Sequence, residues 1–247
     1  MGTMIDFAAA GQEIQGYRAE PEGPARGAVL VIHEIWGLTA HIKDIADRFA
    51  AEGYLAVAPD LMGLAGLDAV LLAELGERRA DPAAQTDMQP KIREAMAPMN
   101  APESAVRIKA GVAEVFSYLD STREGAGRTA AVGFCLGGTY TFALAVEEPL
   151  LKAAVPFYGH ADYLAAELAG IACPVLAFYG AEDTRLMQLL PEVTARMKEA
   201  SVDFRPTVFP GAGHAFFNDG NPLAYRAEPA RISWERTLEF LNKQLNW

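Results

Sequence analysis

The stretch 133–138, Gly-Phe-Cys-Leu-Gly-Gly, has the residue types and spacing best suited to covalent chemistry in this chain. It follows the apolar run 129–132 and precedes the helix-like run 139–146. A strand, a tight turn of small residues and a helix push the central side chain of the turn, here Cys135, out at the head of the helix. The helix dipole and free backbone N–H groups favour a thiolate at that position. The pattern therefore predicts a cysteine nucleophile.

A thiol nucleophile needs a base, and the base needs an acid that orients it. His214 lies in the glycine-rich stretch 211–218 directly after the last apolar strand, and Asp183 follows the apolar run 175–179. Loops at the carboxyl ends of strands line the crevice in which open α/β sheets bind ligands. The chain order Cys135, Asp183, His214 is the nucleophile–acid–base order of the α/β-hydrolase fold. The sequence therefore predicts a triad of these three residues.

Each member of this predicted triad has an ordinary alternative role. Free cysteines are usually small core residues, although the flanking glycines argue against that role for Cys135. Asp183 is also suited to cap the helix that follows it, and Glu182 beside it is a competing acid. His214 has the alternative of a surface histidine in a turn. Of the other histidines, His41 falls on a predicted helix opposite its apolar face, where we expect it to be solvated.

The stretch 33–37, His-Glu-Ile-Trp-Gly, follows the apolar run 28–32, where this fold places its oxyanion-binding loop. We assign the two oxyanion donors to the backbone N–H groups of Ile35 and of Leu136, the residue after the nucleophile. Glu34 is unusual at this place, because a carboxylate opposes the negative charge that the loop stabilises. An ion pair with a nearby arginine is the ordinary alternative for Glu34.

Short apolar runs alternate with helix-period segments along the whole chain. This alternation predicts an α/β-hydrolase fold, a mostly parallel sheet with helices on both faces, and residues 11–18 are expected to add an antiparallel edge strand. No linker or repeat interrupts residues 1–247, which indicates one domain. Residues 61–100 hold four of the eight methionines among glycine and proline breaks. They are interpreted either as a connection that patches the core or as a partial cover over the active site.

The composition limits the classes of partner. With an apolar fraction of 51% the chain is expected to fold, and its net charge of −11 argues against nucleic acid or an anionic membrane as a partner. Two cysteines and the lack of a signal peptide or apolar span indicate the cytoplasm. Metal-ligand spacing and nucleotide-binding fingerprints are missing, so no metal or organic cofactor is expected. A monomer or small homo-oligomer acting on a small molecule is the expected form.

Taken together, these motifs resemble those of the dienelactone hydrolase family, over about residues 11–244. The stretches that carry the likeness are 33–37, 58–61, 133–138, 179–183 and 213–216. A cysteine in the turn joined to a glutamate after the first central strand is the specific part of the likeness. The resemblance implies hydrolysis of a small ester or lactone by Cys135, His214 and Asp183. It also implies that Glu34 lies close to the thiol and helps its deprotonation when substrate displaces the carboxylate.

The chain departs from the founding type of that family in the arginines that bind the substrate carboxylate. One of them lies four residues after the histidine, where this chain has Asn218. Arg93 is the nearest match to the other, with Arg78 and Arg79 as alternatives. General carboxylesterase or thioesterase activity is therefore an alternative, as is a non-catalytic ligand-binding homologue. The candidate substrate-binding side chains are Trp36, Arg93, Tyr158 and Phe216.

Overall fold

The structure is a computed structural model that describes residues 1–78 and 85–245. Its strands are β1 (Thr3–Ala9), β2 (Gln12–Ala19), β3 (Ala28–Ile32), β4 (Leu55–Pro59), β5 (Thr129–Phe134), β6 (Ala153–Phe157), β7 (Val175–Gly180) and β8 (Phe204–Phe209). Its α-helices are α1 (Ala40–Ala51), α2 (Ala69–Arg78), α3 (Gln85–Ala95), α4 (Pro102–Ser121), α5 (Leu136–Glu147), α6 (Ala165–Leu168), α7 (Thr184–Glu199) and α8 (Ala227–Leu245). Short 3₁₀ helices span Gly63–Ala65 and Ala97–Asn100.

The described strands form one eight-stranded sheet in the order β1-β2-β4-β3-β5-β6-β7-β8. All neighbours from β4 to β8 are parallel, whereas β2 pairs antiparallel with both β1 and β4. The predicted mostly parallel sheet is confirmed. The antiparallel strand predicted at residues 11–18 is present as β2, but its predicted position at the edge is wrong, because β1 pairs outside it. Most of β1 is exposed, so its sequence lacks the apolar run that marks the inner strands.

Helices cover both faces of the sheet. Helices α1 and α8 share one face, where the ring of Trp234 packs 4.6 Å from the ring of Phe49. Helices α4 and α5 pack together on the other face, against β3 and β5. Every residue of β3, β4, β5, β6 and β7 is buried, which is why these strands are nearly continuous apolar runs. No described helix has both the length and the apolar character needed to span a membrane.

The parallel strands place the predicted functional loops at one edge of the sheet. The stretch 33–37 follows β3, Cys135 follows β5, Asp183 comes shortly after β7, and the loop with His214 follows β8. All four positions lie at the carboxyl ends of their strands, the edge at which such sheets bind ligands. The topology therefore brings together residues that are up to 181 positions apart in the chain.

One close approach in this arrangement can be tested by a substitution. A Cβ at Gly137 would lie well inside the van der Waals distance of the backbone carbonyls of Ile32 and His33. Because these are backbone atoms, they cannot shift away from the Cβ without a large cost in free energy. We therefore expect Gly137→Ala to lower the free energy of unfolding by about 2 kcal/mol or more, measured by urea titration. Gly23→Ala is the matched control, because a Cβ there meets nothing within 4 Å, and it should lie within about 1 kcal/mol of wild type. Equal stability of the two variants would contradict the close approach.

Candidate active site

Cys135 occupies a strained turn between β5 and α5. Its φ of 55° is left-handed, a conformation that few non-glycine residues adopt. The turn is held on both sides, because the Cys135 N–H donates to the carbonyl of Phe157 at 3.0 Å and its own carbonyl accepts the N–H of Thr139 at 3.1 Å. As a result the thiol stands at the start of α5 and stays partly exposed.

The three residues of the predicted triad lie in hydrogen-bonding contact. The Cys135 Sγ is 3.1 Å from Nε2 of His214, and Nδ1 of His214 is 2.6 Å from Oδ2 of Asp183. The other oxygen of Asp183 accepts the backbone N–H of Leu186 at 3.2 Å, so this carboxylate also caps α7. The two interpretations of Asp183 are therefore compatible. Glu182, the competing acid, is exposed.

The ionisation of this pair follows from its contacts. Partial burial raises the pKa of Asp183, but the hydrogen bond and charge of His214 and the N–H of Leu186 outweigh that effect and leave it below its ordinary value. Burial lowers the pKa of His214, yet the hydrogen bonds and charges of Asp183 and Cys135 raise it to about 10. These contacts therefore favour the protonated form of the His214 imidazole.

His33 fixes the loop that follows β3, a role that the sequence did not reveal. It is fully buried, and its Nε2 accepts the backbone N–H of Leu61 at 3.0 Å while Nδ1 lies 2.6 Å from the carbonyl oxygen of Glu34. Burial lowers the pKa of His33 more than the charge of Asp60 raises it, so the ring is neutral with its proton on Nδ1. Its backbone carbonyl accepts the N–H of Gly137 at 3.1 Å, which joins the loop to α5.

Glu34 is buried and held by two uncharged donors. The hydroxyl of Tyr158 donates to Oε1 at 3.2 Å, and the side-chain amide of Asn218 donates to Oε2. Among the residues that the structure describes, no ion pair joins Glu34 to an arginine, and the alternative of such a pair stays a prediction. Asn218, at the position where the founding type of the family has an arginine, binds Glu34 instead. Glu34 and Cys135 line the wall of the same cavity.

A cavity of about 360 Å³ opens in front of the thiol. Its described lining residues are Glu34, Ile35, Trp36, Met88, Gln89, Ile92, Cys135, His214, Ala215, Asn221 and Ala224. A larger cavity of about 410 Å³ lies at the amino ends of the strands, where Arg18, Arg123 and Arg128 contribute to its wall, far from the nucleophile. The described residues contain no group of three or more His, Cys, Asp or Glu side chains that could hold a metal ion.

The candidate substrate-binding side chains differ in their positions. Trp36 lines the cavity together with Ile35, one of the two predicted oxyanion residues, and Cys135. Leu136, the other predicted oxyanion residue, directly follows Cys135 and begins α5. Arg93 is exposed on α3 and is not among the lining residues of the cavity. Tyr158 contacts Glu34 and places its ring 5.0 Å from that of His214. The roles of these residues in binding substrate stay predictions.

Phe216 is fully buried rather than placed in the cavity wall. Its ring packs against the rings of Phe209, at 5.3 Å, and Tyr158, at 5.5 Å. Its apolar character is therefore used in the core beneath the site. Of the alternative arginines, Arg78 is exposed at the end of α2, and Arg79 lies outside the described residues.

The segment 61–100 contacts both the core and the cavity. Met62 and Leu64 are buried in the core, as expected of a connection that patches it. In contrast, Met88 and Ile92 of α3 line the cavity in front of the thiol, as expected of a partial cover. Sequence patterns did not distinguish these cavity residues, because α3 carries no motif of its own.

The expectation that His41 is solvated is wrong. Its side chain is buried, with Nδ1 2.7 Å from a carboxylate oxygen of Asp219 and its ring packed near Phe134 and Phe217. The chain after β8 folds over the first turn of α1 and covers this histidine. The helical pattern around His41 carries no information about a partner that lies 178 positions later.

The fold and this cysteine-centred site define an α/β-hydrolase. The model of the dienelactone hydrolase family matches residues 14–245, and the chain belongs to that family. A putative carboxymethylenebutenolidase of Saccharolobus solfataricus is 32% identical to this chain. The match covers 98% of this chain and 99% of the relative's chain. A crystal structure of a putative dienelactone hydrolase from Klebsiella pneumoniae is similar to this chain, with a TM-score of 0.78 and 28% identity over 98% of both chains. A dienelactone hydrolase-like phosphotriesterase from metagenomic libraries shares the fold, with a TM-score of 0.76 and 23% identity over 99% of this chain and 98% of its own.

The protonation of His214 can be measured directly. We expect its imidazole signals in an NMR pH titration to report a proton that is bound at neutral pH and lost near pH 10. Asp183→Asn and Cys135→Ala should each lower the pKa of His214, because each removes a group that raises it. His160 is the internal control: burial lowers its pKa, and it should titrate at the same low pH in all three proteins. A His214 pKa near 6.5 in wild type would contradict the geometry of the pair.

Proposed function

We propose that this hydrolase cleaves small esters or lactones through a covalent acyl-enzyme on Cys135. The observation that carries the proposal is the line of hydrogen bonds from the Cys135 Sγ through His214 to Asp183, with the thiol on the wall of a cavity. A nucleophile, a base within reach of it and an acid that orients the base are the three parts that acyl transfer requires. The carboxymethylenebutenolidase relatives, named for the hydrolysis of a lactone, support the same reaction class.

In the acylation step the Cys135 thiolate attacks the carbonyl carbon of the substrate and forms a C–S bond. The N–H groups of Ile35 and Leu136 hold the oxyanion of the tetrahedral intermediate. The intermediate collapses with cleavage of the C–O bond, and the imidazolium of His214 gives its proton to the departing alkoxide. With a lactone the new hydroxyl stays attached to the acyl group.

In the deacylation step the neutral His214 takes a proton from water, and the hydroxide attacks the thioester. The C–S bond breaks and the carboxylic acid leaves. His214 keeps the proton that it took from water, so the thiolate of Cys135 and the imidazolium of His214 are restored. Asp183 keeps the Nδ1–H of His214 in place during both steps through the 2.6 Å contact. The raised pKa of His214 supports its part as the acid of the first step, because it holds a proton when substrate arrives.

Glu34 enters the proposal as a regulator of the thiol. Its place on the wall of the cavity that holds Cys135 supports this part. Both carboxylate oxygens of Glu34 already accept hydrogen bonds, from Tyr158 and Asn218. Each oxygen keeps a further lone pair that could accept a hydrogen bond from the thiol, so Tyr158 and Asn218 act in this proposal as positioning groups for the carboxylate.

The two cysteines provide a matched test of the nucleophile. Cys135→Ala should lower kcat/KM for 4-nitrophenyl acetate and dihydrocoumarin by at least about a thousandfold, because the acyl-enzyme cannot form. Cys173→Ala should stay within about threefold of wild type. Cys173 is buried, and burial raises the pKa of its thiol to about 12, so it remains an unreactive thiol.

Mass spectrometry of the quenched reaction should find the acyl group on Cys135 in His214→Gln, because deacylation then lacks its base. Ester turnover that survives Cys135→Ala would overturn the mechanism. Binding of the esters to wild type without turnover would favour the alternative of a non-catalytic ligand-binding protein.

A further inference from the structure

The side chain of His33 holds the peptide group that joins Glu34 to Ile35. Its Nδ1 lies 2.6 Å from the carbonyl oxygen of Glu34, and its Nε2 accepts the backbone N–H of Leu61 at 3.0 Å. Because a backbone N–H can only donate, Nε2 carries no hydrogen, and the proton of the neutral ring is on Nδ1. The Nδ1–H group therefore donates to the Glu34 carbonyl.

The same carbonyl closes a turn over residues 34–37. The Glu34 carbonyl accepts the N–H of Gly37 at 3.3 Å, and Gly37 has a left-handed φ of 77° that glycine adopts without strain. Two donors therefore hold this oxygen, and the shorter contact comes from the fully buried ring of His33. Because the peptide group is planar, a carbonyl held in this way fixes the orientation of the whole group.

The orientation of this carbonyl also sets the direction of the Ile35 N–H. The two groups belong to one peptide unit, and the described chain contains no cis peptide bond, so they point in opposite directions. The carbonyl points to His33, which is not among the described lining residues of the active-site cavity, whereas Ile35 and Cys135 are. The N–H of Ile35 therefore points away from His33, on the side where the cavity lies.

The backbone of His33 reaches the other proposed oxyanion donor. Its carbonyl accepts the N–H of Gly137 at 3.1 Å, in the first turn of α5. Leu136, whose N–H is the second proposed donor, directly precedes Gly137. His33 thus holds the peptide of one donor through its ring and the turn of the other donor through its backbone.

We propose that His33 is a positioning residue for the oxyanion-binding site, whose ring keeps the Ile35 N–H directed at the carbonyl oxygen of the substrate. The inference rests on the proposed acyl transfer at Cys135 and adds a residue to its machinery. Loss of the ring should weaken the stabilisation of the oxyanion and leave the reactivity of the thiol unchanged.

Two reactions of Cys135 separate these effects. Hydrolysis of 4-nitrophenyl acetate passes through an oxyanion. In alkylation by iodoacetamide, the thiolate forms a C–S bond with the methylene carbon as iodide leaves, and no oxyanion forms. His33→Leu should lower kcat/KM for the ester at least about a hundredfold, the effect of losing one oxyanion donor. Its rate constant for alkylation of Cys135 should stay within about threefold of wild type, whereas a general disturbance of the site would change both reactions.

Two further variants are the controls. The amide of His33→Gln supplies both a donor and an acceptor, so this variant should have a kcat/KM at least about tenfold above that of His33→Leu. Thr129→Val removes a buried hydroxyl that donates to the carbonyl of Gly125 at 2.9 Å, at the opposite end of β5 from Cys135. It controls for the loss of a buried hydrogen bond and should keep both rates within about threefold of wild type.

The protonation of the His33 ring is measured in the wild-type protein and does not depend on the folding of a variant. Nitrogen NMR at neutral pH should show a protonated Nδ1 and an unprotonated Nε2, and His33→Gln identifies the signals by their loss. The opposite tautomer would overturn the inference, because Nδ1 could not donate to the Glu34 carbonyl. A doubly protonated ring would overturn it as well, because Nε2 could not accept the Leu61 N–H.

The outcomes separate this inference from the proposed function. Wild-type ester turnover in His33→Leu, or an equal loss of turnover and alkylation, would overturn the inference. The proposed function would stay intact in either case if Cys135→Ala abolishes ester turnover. Ester turnover that survives Cys135→Ala would overturn the proposed function and this inference with it.

Discussion

The active site depends on the close approach of α5 to the end of β3. Gly137 brings its backbone N–H to 3.1 Å from the carbonyl of His33, and any side chain at Gly137 would separate the two elements. This contact places the turn with Cys135 directly against the loop that carries Ile35. The proposed nucleophile and the two proposed oxyanion donors therefore lie on either side of one backbone contact, and Cys135 has a left-handed φ in the turn beside it.

Around this contact, buried polar groups connect the ends of several strands. His33 is held at the end of β4 through Leu61, and Glu34 binds Tyr158 after β6 and Asn218 after β8. Burial of a charged carboxylate is costly unless both oxygens are hydrogen-bonded, so these partners are needed for the loop to keep its position.

The protein combines a partly exposed contact between Cys135 and His214 with a buried supporting layer. The side chain of His214 is 42% exposed, while that of Asp183 is only 9% exposed and also caps α7. The carboxylate of Asp183 is fixed by its role as a helix cap, and it in turn orients the imidazole of His214. The orientation of this imidazole therefore depends on secondary structure and not on a flexible side chain alone. Most of the apolar residues of the loop after β8, such as Phe216 and Phe217, anchor it in the core.

The sequence alone determined the fold class and predicted the three residues proposed as a triad, because their signals are local: glycines around Cys135, apolar runs, and polar residues just after strands. The edge position of β1, the burial of His41, the hydrogen bond between Asn218 and Glu34 and the cavity wall formed by α3 were decided only by the tertiary structure. The reason is physical. Asn218 and Glu34 are 184 positions apart, and burial at such a contact depends on which elements pack together, which no local spacing of residues encodes.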